Sequence, residues 1–178
     1  IQGLDTVLDA AEALRNRSDI QITLVGDGIS RARLEHRAAR SRLTNVKFVG
    51  RVAQDEVPGL IARADVQLVS LAANPFLAFT TPSKISSLLA SGVPIVAQLA
   101  GDGSELLRES GAARVTRPGD ADSLARAIRD LADASATTRA SMGSAGRRFY
   151  KDHLSAEAAA SRITDALVSQ TTHPPRSW

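Results

Sequence analysis

A parallel α/β sheet covered by helices is the fold this sequence predicts, and three observations predict it. Short apolar runs alternate with helix-period stretches along nearly the whole chain. Apolar residues make up 43% but aromatics only 3%, so Ala, Val, Leu and Ile must fill the interior, as they do around buried parallel strands. The 178 residues are enough for one well-buried domain and too few for two full ones.

The elements follow in order. Leu4, Val7, Leu8, Ala11 and Leu14 recur at helical spacing. The apolar run 20–25 is stopped by Gly26-Asp27-Gly28 and reads as a buried strand with a tight turn. Residues 30–43 are arginine-rich and helical, with Leu34, Ala38 and Leu43 inward, and 46–49 is a second strand ended by Gly50. Residues 55–64 read as a helix that tolerates Pro58 in its first turn, and 66–70 as a strand. A loop runs through Asn74-Pro75 to Thr81-Pro82. Residues 83–91 form a helix stopped at Gly92, 94–97 a strand, 104–109 a short helix and 112–115 a short strand. Asp120 caps a helix that carries Leu124, Ile128 and Leu131 on one face. Helices over 136–150 and 155–168 complete one domain, residues 1–168, and 169–178 form a mobile tail with Pro174-Pro175. Such a strand–helix alternation implies right-handed crossovers, without solenoid repeats or a low-complexity linker.

Composition removes several classes of function. No cysteine is present, which excludes disulfides and thiolate metal sites. No run approaches the roughly 20 apolar residues of a spanning helix, and no secretory signal opens the chain, so a cytoplasmic location is expected. A net charge of +3 with a pI near 9.9 favours anionic partners: nucleotide phosphates, acidic lipid headgroups or nucleic acid. A nucleic-acid role lacks a motif and an aromatic platform and is not expected. His36, His153 and His173 are scattered, without the spacing of a metal site or a triad, and read as surface residues. Glu105 and Glu109 lie one helical turn apart rather than forming an acid–base pair, so reacting groups are expected elsewhere.

Ligands of parallel sheets bind at the carboxyl ends of the strands. That rule selects Gly26-Asp27-Gly28, Gly50-Arg51, Ser70 onward, and residues 97–104. At Thr81-Pro82-Ser83-Lys84 a loop runs into a helix, with Ser83 as its cap. Free N–H groups and the helix dipole attract an anion at such a start, and Lys84 adds a full charge. Ser87 and Ser91 extend a polar stripe opposite Ile85, Leu88 and Leu89. An ordinary capped helix is the alternative reading of the same residues. Gly26 and Gly28 let a ligand or another backbone come close, but the remaining glycines of a dinucleotide fingerprint are missing. Arg51, just past a strand end, is placed either to pair with phosphate or to face solvent. Arg31, Arg33, Arg37, Arg40 and Arg42 make one helix basic, either as a solvated face or as a contact with an anionic membrane.

The order of segments resembles glycosyltransferase family 4. The residues that carry the resemblance are Gln2-Gly3-Leu4-Asp5, Leu24-Val25-Gly26-Asp27-Gly28, Val46-Lys47-Phe48-Val49-Gly50-Arg51-Val52, and the run from Pro82-Ser83-Lys84 to Gly92-Val93-Pro94-Ile95-Val96-Ala97. The sequence is most similar to the branch that builds bacterial surface polysaccharides, the fucosamine-transferase-like and colanic-acid-type enzymes. The resemblance implies the C-terminal, Rossmann-like domain of a two-domain GT-B glycosyltransferase, lacking its first strand. It implies a nucleotide-diphosphate-sugar donor and no metal or other cofactor. Thr81, Pro82, Ser83 and Lys84 would hold the diphosphate, with Ser87 reaching the ribose. Gly26 and Gly28 would admit the nucleotide to the sheet edge, and Arg51 and Val52 would flank the base. The acceptor and the catalytic base are expected on an absent N-terminal domain, and the acceptor to be a lipid-linked glycan at the inner membrane face. Many members carry two glutamates where Phe79 and Ser87 stand here. That departure keeps open a non-catalytic nucleotide-binding module with a decayed site. A nucleotide-sugar epimerase of the same fold is the other alternative.

Overall fold

Burial identifies the central strand. All 4 residues of β4 (Ile95–Gln98) are buried. In this computed structural model, which describes residues 2–74, 76 and 83–171 with side chains through residue 164, β4 pairs in parallel with β3 (Gln67–Ser70) and β5 (Ala113–Thr116). A second parallel ladder joins β1 (Ile22–Val25) to β2 (Val46–Val49), with Ile22 opposite Val46. Among the described residues no ladder joins β1 to β3. The helices are α1 (Leu4–Ala13), α2 (Arg31–Arg40), α3 (Val57–Ala62), α4 (Lys84–Ser91), α5 (Asp102–Glu109), α6 (Ala121–Asp133), α7 (Ala136–Phe149) and α8 (Ala156–Thr171).

Alternation of side chains along β4 divides the core. Val96 joins Val7, Leu8 and Leu14 of the α1 region, Leu34 of α2, and Leu124 and Leu131 of α6. Ile95 and Ala97 belong to the opposite layer, with Ile85 and Leu89 of α4 and Leu107 of α5. Each fully buried Leu or Ile stabilises the fold by about 1.5–3 kcal/mol relative to exposure. The aliphatic core expected from composition is thus arranged as helices on both faces of parallel strands.

Several boundaries shift for local reasons. Helix α5 starts at Asp102, earlier than the spacing predicts, because Gly101 at φ 74° turns the chain directly off β4. Helix α3 begins at Val57 and not at residue 55; a turn precedes it, closed by the Glu56 side chain accepting from the Ala53 N–H at 2.9 Å. Asp120 caps α6 as expected, its carboxylate accepting from the Ser123 N–H at 2.9 Å. After α7 the chain makes a π-helical turn, Tyr150–Leu154, that the apolar pattern does not signal. Ser155 ends that turn: its N–H donates to the Tyr150 carbonyl at 2.9 Å, and its Oγ accepts from the Ala158 N–H at 3.1 Å to open α8. Helix α8 continues to Thr171, beyond the predicted start of the tail at residue 169, and residues 172–178 lie outside the described residues.

Helix α7 packs on the end of α4. Gly92 ends α4 in the left-handed region at φ 74°, and Arg147 donates to the Ala90 carbonyl at 3.2 Å and the Ser91 carbonyl at 2.7 Å. These bonds satisfy the terminal acceptors of α4 with a cation, the sign the helix dipole favours there. Gly143 permits the approach, since a Cβ on it would sit 1.8 Å from the Gly92 carbonyl oxygen. Backbone faces backbone at this point, so neither side yields cheaply. Gly143→Ala is expected to destabilise the protein by about 3 kcal/mol, read as a lowered midpoint in denaturant unfolding.

Candidate functional site

Lys84 is the first residue of α4, and both it and Ser83 are exposed. Ser83 does not act as the expected cap. Its backbone is already helical, at φ −54° and ψ −28°, and its hydroxyl makes no capping bond. The first-turn N–H groups therefore gain no capping partner from Ser83, and a helix start favours an anion. The Lys84 ammonium donates to the Gln2 side-chain oxygen at 3.0 Å. Crowding by neighbouring groups lowers its pKa from the ordinary lysine value, although the exposure of the side chain tempers that desolvation. Ser87 is exposed one turn further on. Ser91 leaves the expected polar stripe and turns inward, accepting from Gln67 Nε2 at 2.7 Å and donating to the Leu88 carbonyl at 2.6 Å. Thr81 and Pro82, as well as Phe79, lie outside the described residues.

The segment leading into α1 crosses the carboxyl ends of β3 and β4. Gly3 holds φ 61°, and a Cβ there would lie 2.8 Å from the Leu71 carbonyl oxygen and 2.9 Å from the Ala72 nitrogen. Ser70 Oγ donates to the Gln2 carbonyl. Gln98 Nε2 donates to the Gly3 carbonyl at 3.1 Å and also to Ser70 Oγ. Gln98 is fully buried and Ser70 nearly so. The strand-end rule selected the segments that contain Ser70 and Gln98 but gave neither residue a role, and it did not select Gln2. The legible signal was a polar residue closing the apolar run Ile95-Val96-Ala97.

A second group forms at the ends of β1 and β2. The Gly26 N–H donates to the carbonyls of Val49 at 3.0 Å and Gly50 at 3.2 Å. Gly26 holds φ 132°, and a Cβ on Gly26 or Gly28 would meet nothing within 4 Å. Exposed Arg51 and half-buried Val52 follow Gly50 directly. Arg31 lies over the same strand end, where a Cβ on Gly50 would come within 2.9 Å of its Nη1. Arg31 is held by Glu35 at 2.8 Å and Asp27 at 3.8 Å.

Asp5 links the two groups. It lies in the first turn of α1, just after Gly3, and pairs with Arg33 of α2 at 2.7 Å and Arg37 at 2.8 Å. Because α2 begins just beyond the Gly26-Asp27-Gly28 turn, this pairing places both groups at the same edge of the protein. Arg37 also pairs with Asp9. The basic helix is thus largely explained by its own neighbours: among the described residues, only Arg40 and Arg42 of the arginines noted above lack an ion pair. His36 and His153 are exposed, as expected, with the His153 ring 4.6 Å from that of Phe149. Among the described residues no three His, Asp or Glu side chains converge as a metal site, and no helix is long and apolar enough to cross a membrane.

This layering of helices on parallel strands, with its open edge, is the architecture of the GT-B glycosyltransferases. HepE of Anabaena, solved in complex with UDP, superposes with a TM-score of 0.77 at 24% identity, over 94% of this chain and 45% of its own. The C-terminal domain of LpcC from Francisella tularensis matches with a TM-score of 0.70 at 16% identity, over 87% of this chain and 80% of its own. The chain belongs to the family described as glycosyl transferases group 1, whose model matches residues 1–134. Among curated relatives, WcaI of Escherichia coli K12, assigned as a colanic acid biosynthesis glycosyl transferase, is 37% identical over 94 residues, 51% of this chain and 22% of its own. A GDP-mannose-dependent monoacylated alpha-(1-6)-phosphatidylinositol monomannoside mannosyltransferase of Corynebacterium glutamicum is 28% identical over 184 aligned positions, 95% of this chain and 44% of its own. The chain thus spans less than half the length of these curated relatives.

The Asp5 link carries a pH signature. The Arg33 guanidinium, with Arg37 beside it, lowers the Asp5 carboxyl from 3.8 to about 2. Its contribution is complete above the unfolded value of 3.8 and disappears as the pH falls through about 2. Asp5→Asn is expected to lower stability near neutral pH by about 1 kcal/mol, a modest figure because the carboxylate is partly solvated. Thermal unfolding across pH is expected to show that deficit shrinking towards zero in strong acid.

Proposed function

We propose that this domain binds the donor of a glycosyl transfer reaction, a nucleoside-diphosphate sugar, with the diphosphate at the start of α4 and the nucleoside towards Gly26, Gly28, Arg51 and Val52. The observation that carries the reading is Lys84 on the first turn of a helix whose serine does not cap it, at the carboxyl edge of a parallel sheet. Family membership supports the reaction class. Relatives named for colanic acid biosynthesis and for a phosphatidylinositol mannoside support a lipid-linked surface glycan as acceptor.

In this function the domain's own contribution is electrostatic. As the bond between the sugar and the diphosphate breaks, negative charge grows on the leaving oxygens. Oriented N–H groups and the Lys84 ammonium stabilise that charge without reorganising at the moment of reaction. Ser87 supplies a neutral hydroxyl one turn along and cannot offset positive charge as a carboxylate would. Activation of the acceptor hydroxyl is assigned to groups outside this chain. Thr81 and Pro82 are assigned to the diphosphate in this proposal, and no metal is required.

Titration of the intact protein with UDP, GDP and ADP tests the reading. One diphosphate is expected to bind preferentially, and Lys84→Ala is expected to weaken it about tenfold or more through loss of a charge-assisted bond. Unchanged affinity in a folded Lys84→Ala protein would remove the assigned site.

A further inference from the structure

The Lys84 side chain is exposed and long, so by itself it would sample many rotamers, and a ligand that held it would have to order it. In the structure it has a fixed partner, the Gln2 side-chain oxygen at 3.0 Å. Gln2 is itself held. Its carbonyl accepts from Ser70 Oγ, and the next carbonyl, of Gly3, accepts from Gln98 Nε2 at 3.1 Å. Ser70 and Gln98 are buried and bonded to each other. Gly3 is seated against Leu71 and Ala72, where no side chain fits. A chain of hydrogen bonds therefore runs from the buried end of β4, through the end of β3, to the ammonium at the start of α4. It passes through residues far apart in sequence, so only the folded edge assembles it.

We propose that Gln2 is a positioning residue for Lys84: its amide oxygen holds the ammonium at the helix start, and the buried Ser70–Gln98 pair sets where Gln2 stands. This rests on the reading of Lys84 as the diphosphate ligand and adds the device that preorganises it. The chemistry of the acceptor matters. A neutral amide oxygen orients an ammonium and leaves its charge available to phosphate. A carboxylate in the same place would pair with the ammonium and compete with the incoming anion.

The test uses the intact protein, the diphosphate among UDP, GDP and ADP that binds, and its parent nucleoside as a control. Gln2 is exposed, so its replacement leaves the core untouched. Gln2→Leu is expected to weaken the diphosphate about fivefold with nucleoside affinity unchanged. Loss of the acceptor disfavours the ammonium, so the alkaline limb of diphosphate binding is expected to move to lower pH. Gln2→Glu is expected to weaken the diphosphate more than Gln2→Leu and to move that limb to higher pH. If Gln2→Leu leaves affinity and the alkaline limb unchanged while Lys84→Ala weakens binding, the positioning role is wrong and the site reading stands. If Lys84→Ala is also without effect, the site itself is wrong and the proposal goes with it. Equal weakening of nucleoside and diphosphate by Gln2→Leu would show a general structural role and overturn the proposal.

Discussion

The seating of Gly3 against the end of β3 is the constraint on which the rest of the edge depends. Its φ of 61° and the absence of a Cβ let the backbone approach Leu71 and Ala72 more closely than any other residue allows. From that point the geometry propagates in two directions. Towards the sheet, the Gln2 and Gly3 carbonyls fall within reach of Ser70 and Gln98, which gives the buried Ser70 hydroxyl and the Gln98 amide N–H acceptors. Towards the helices, α1 starts with Asp5 placed beneath Arg33 and Arg37, which ties the start of α2 to the same edge.

Helix α4 is tied down at its end, and Ser83 does not cap its start. Its last turn is held by Arg147, by Gly92 in the left-handed region and by Ser91, which bridges to Gln67. Gly143 lets α7 close over that end. Its first turn has Lys84, preceded by a Ser83 hydroxyl that makes no capping bond. This asymmetry suits a helix whose dipole is directed at a ligand, since fixing the far end removes movement that would blur the position of the N–H groups.

Much of the fold was legible because buried parallel strands leave a strong apolar trace. The runs at Ile22, Val46, Leu68 and Ile95 needed no partner information to be read as strands. Less was legible where the decisive contacts join distant residues. Ser83 matched the composition of a cap, yet its backbone is drawn into the helix and its hydroxyl makes no capping bond. The arginines of α2 looked like a surface for anions until the acids of α1, 28 residues away in sequence for the Arg33–Asp5 and Arg37–Asp9 pairs, were brought beside them. Gln2 was quoted only as part of a resemblance, because nothing in its local sequence shows that Lys84 lies within hydrogen-bond distance. Gln98 carried a faint signal, an amide at the end of an apolar strand, and Gly26 and Gly28 another, a glycine turn after a strand with open space around both.

The central claim concerns where a diphosphate sits, and residue-resolved mapping addresses it most directly. Backbone amide chemical shifts followed by NMR during titration with the preferred nucleoside diphosphate would locate the ligand. The largest shifts are expected at the amides of Lys84, Ile85 and Ser86, with a second set at Gly26, Gly28 and Arg51. Shifts confined to the outer face of α2 around Arg40 and Arg42, with the start of α4 unmoved, would contradict it.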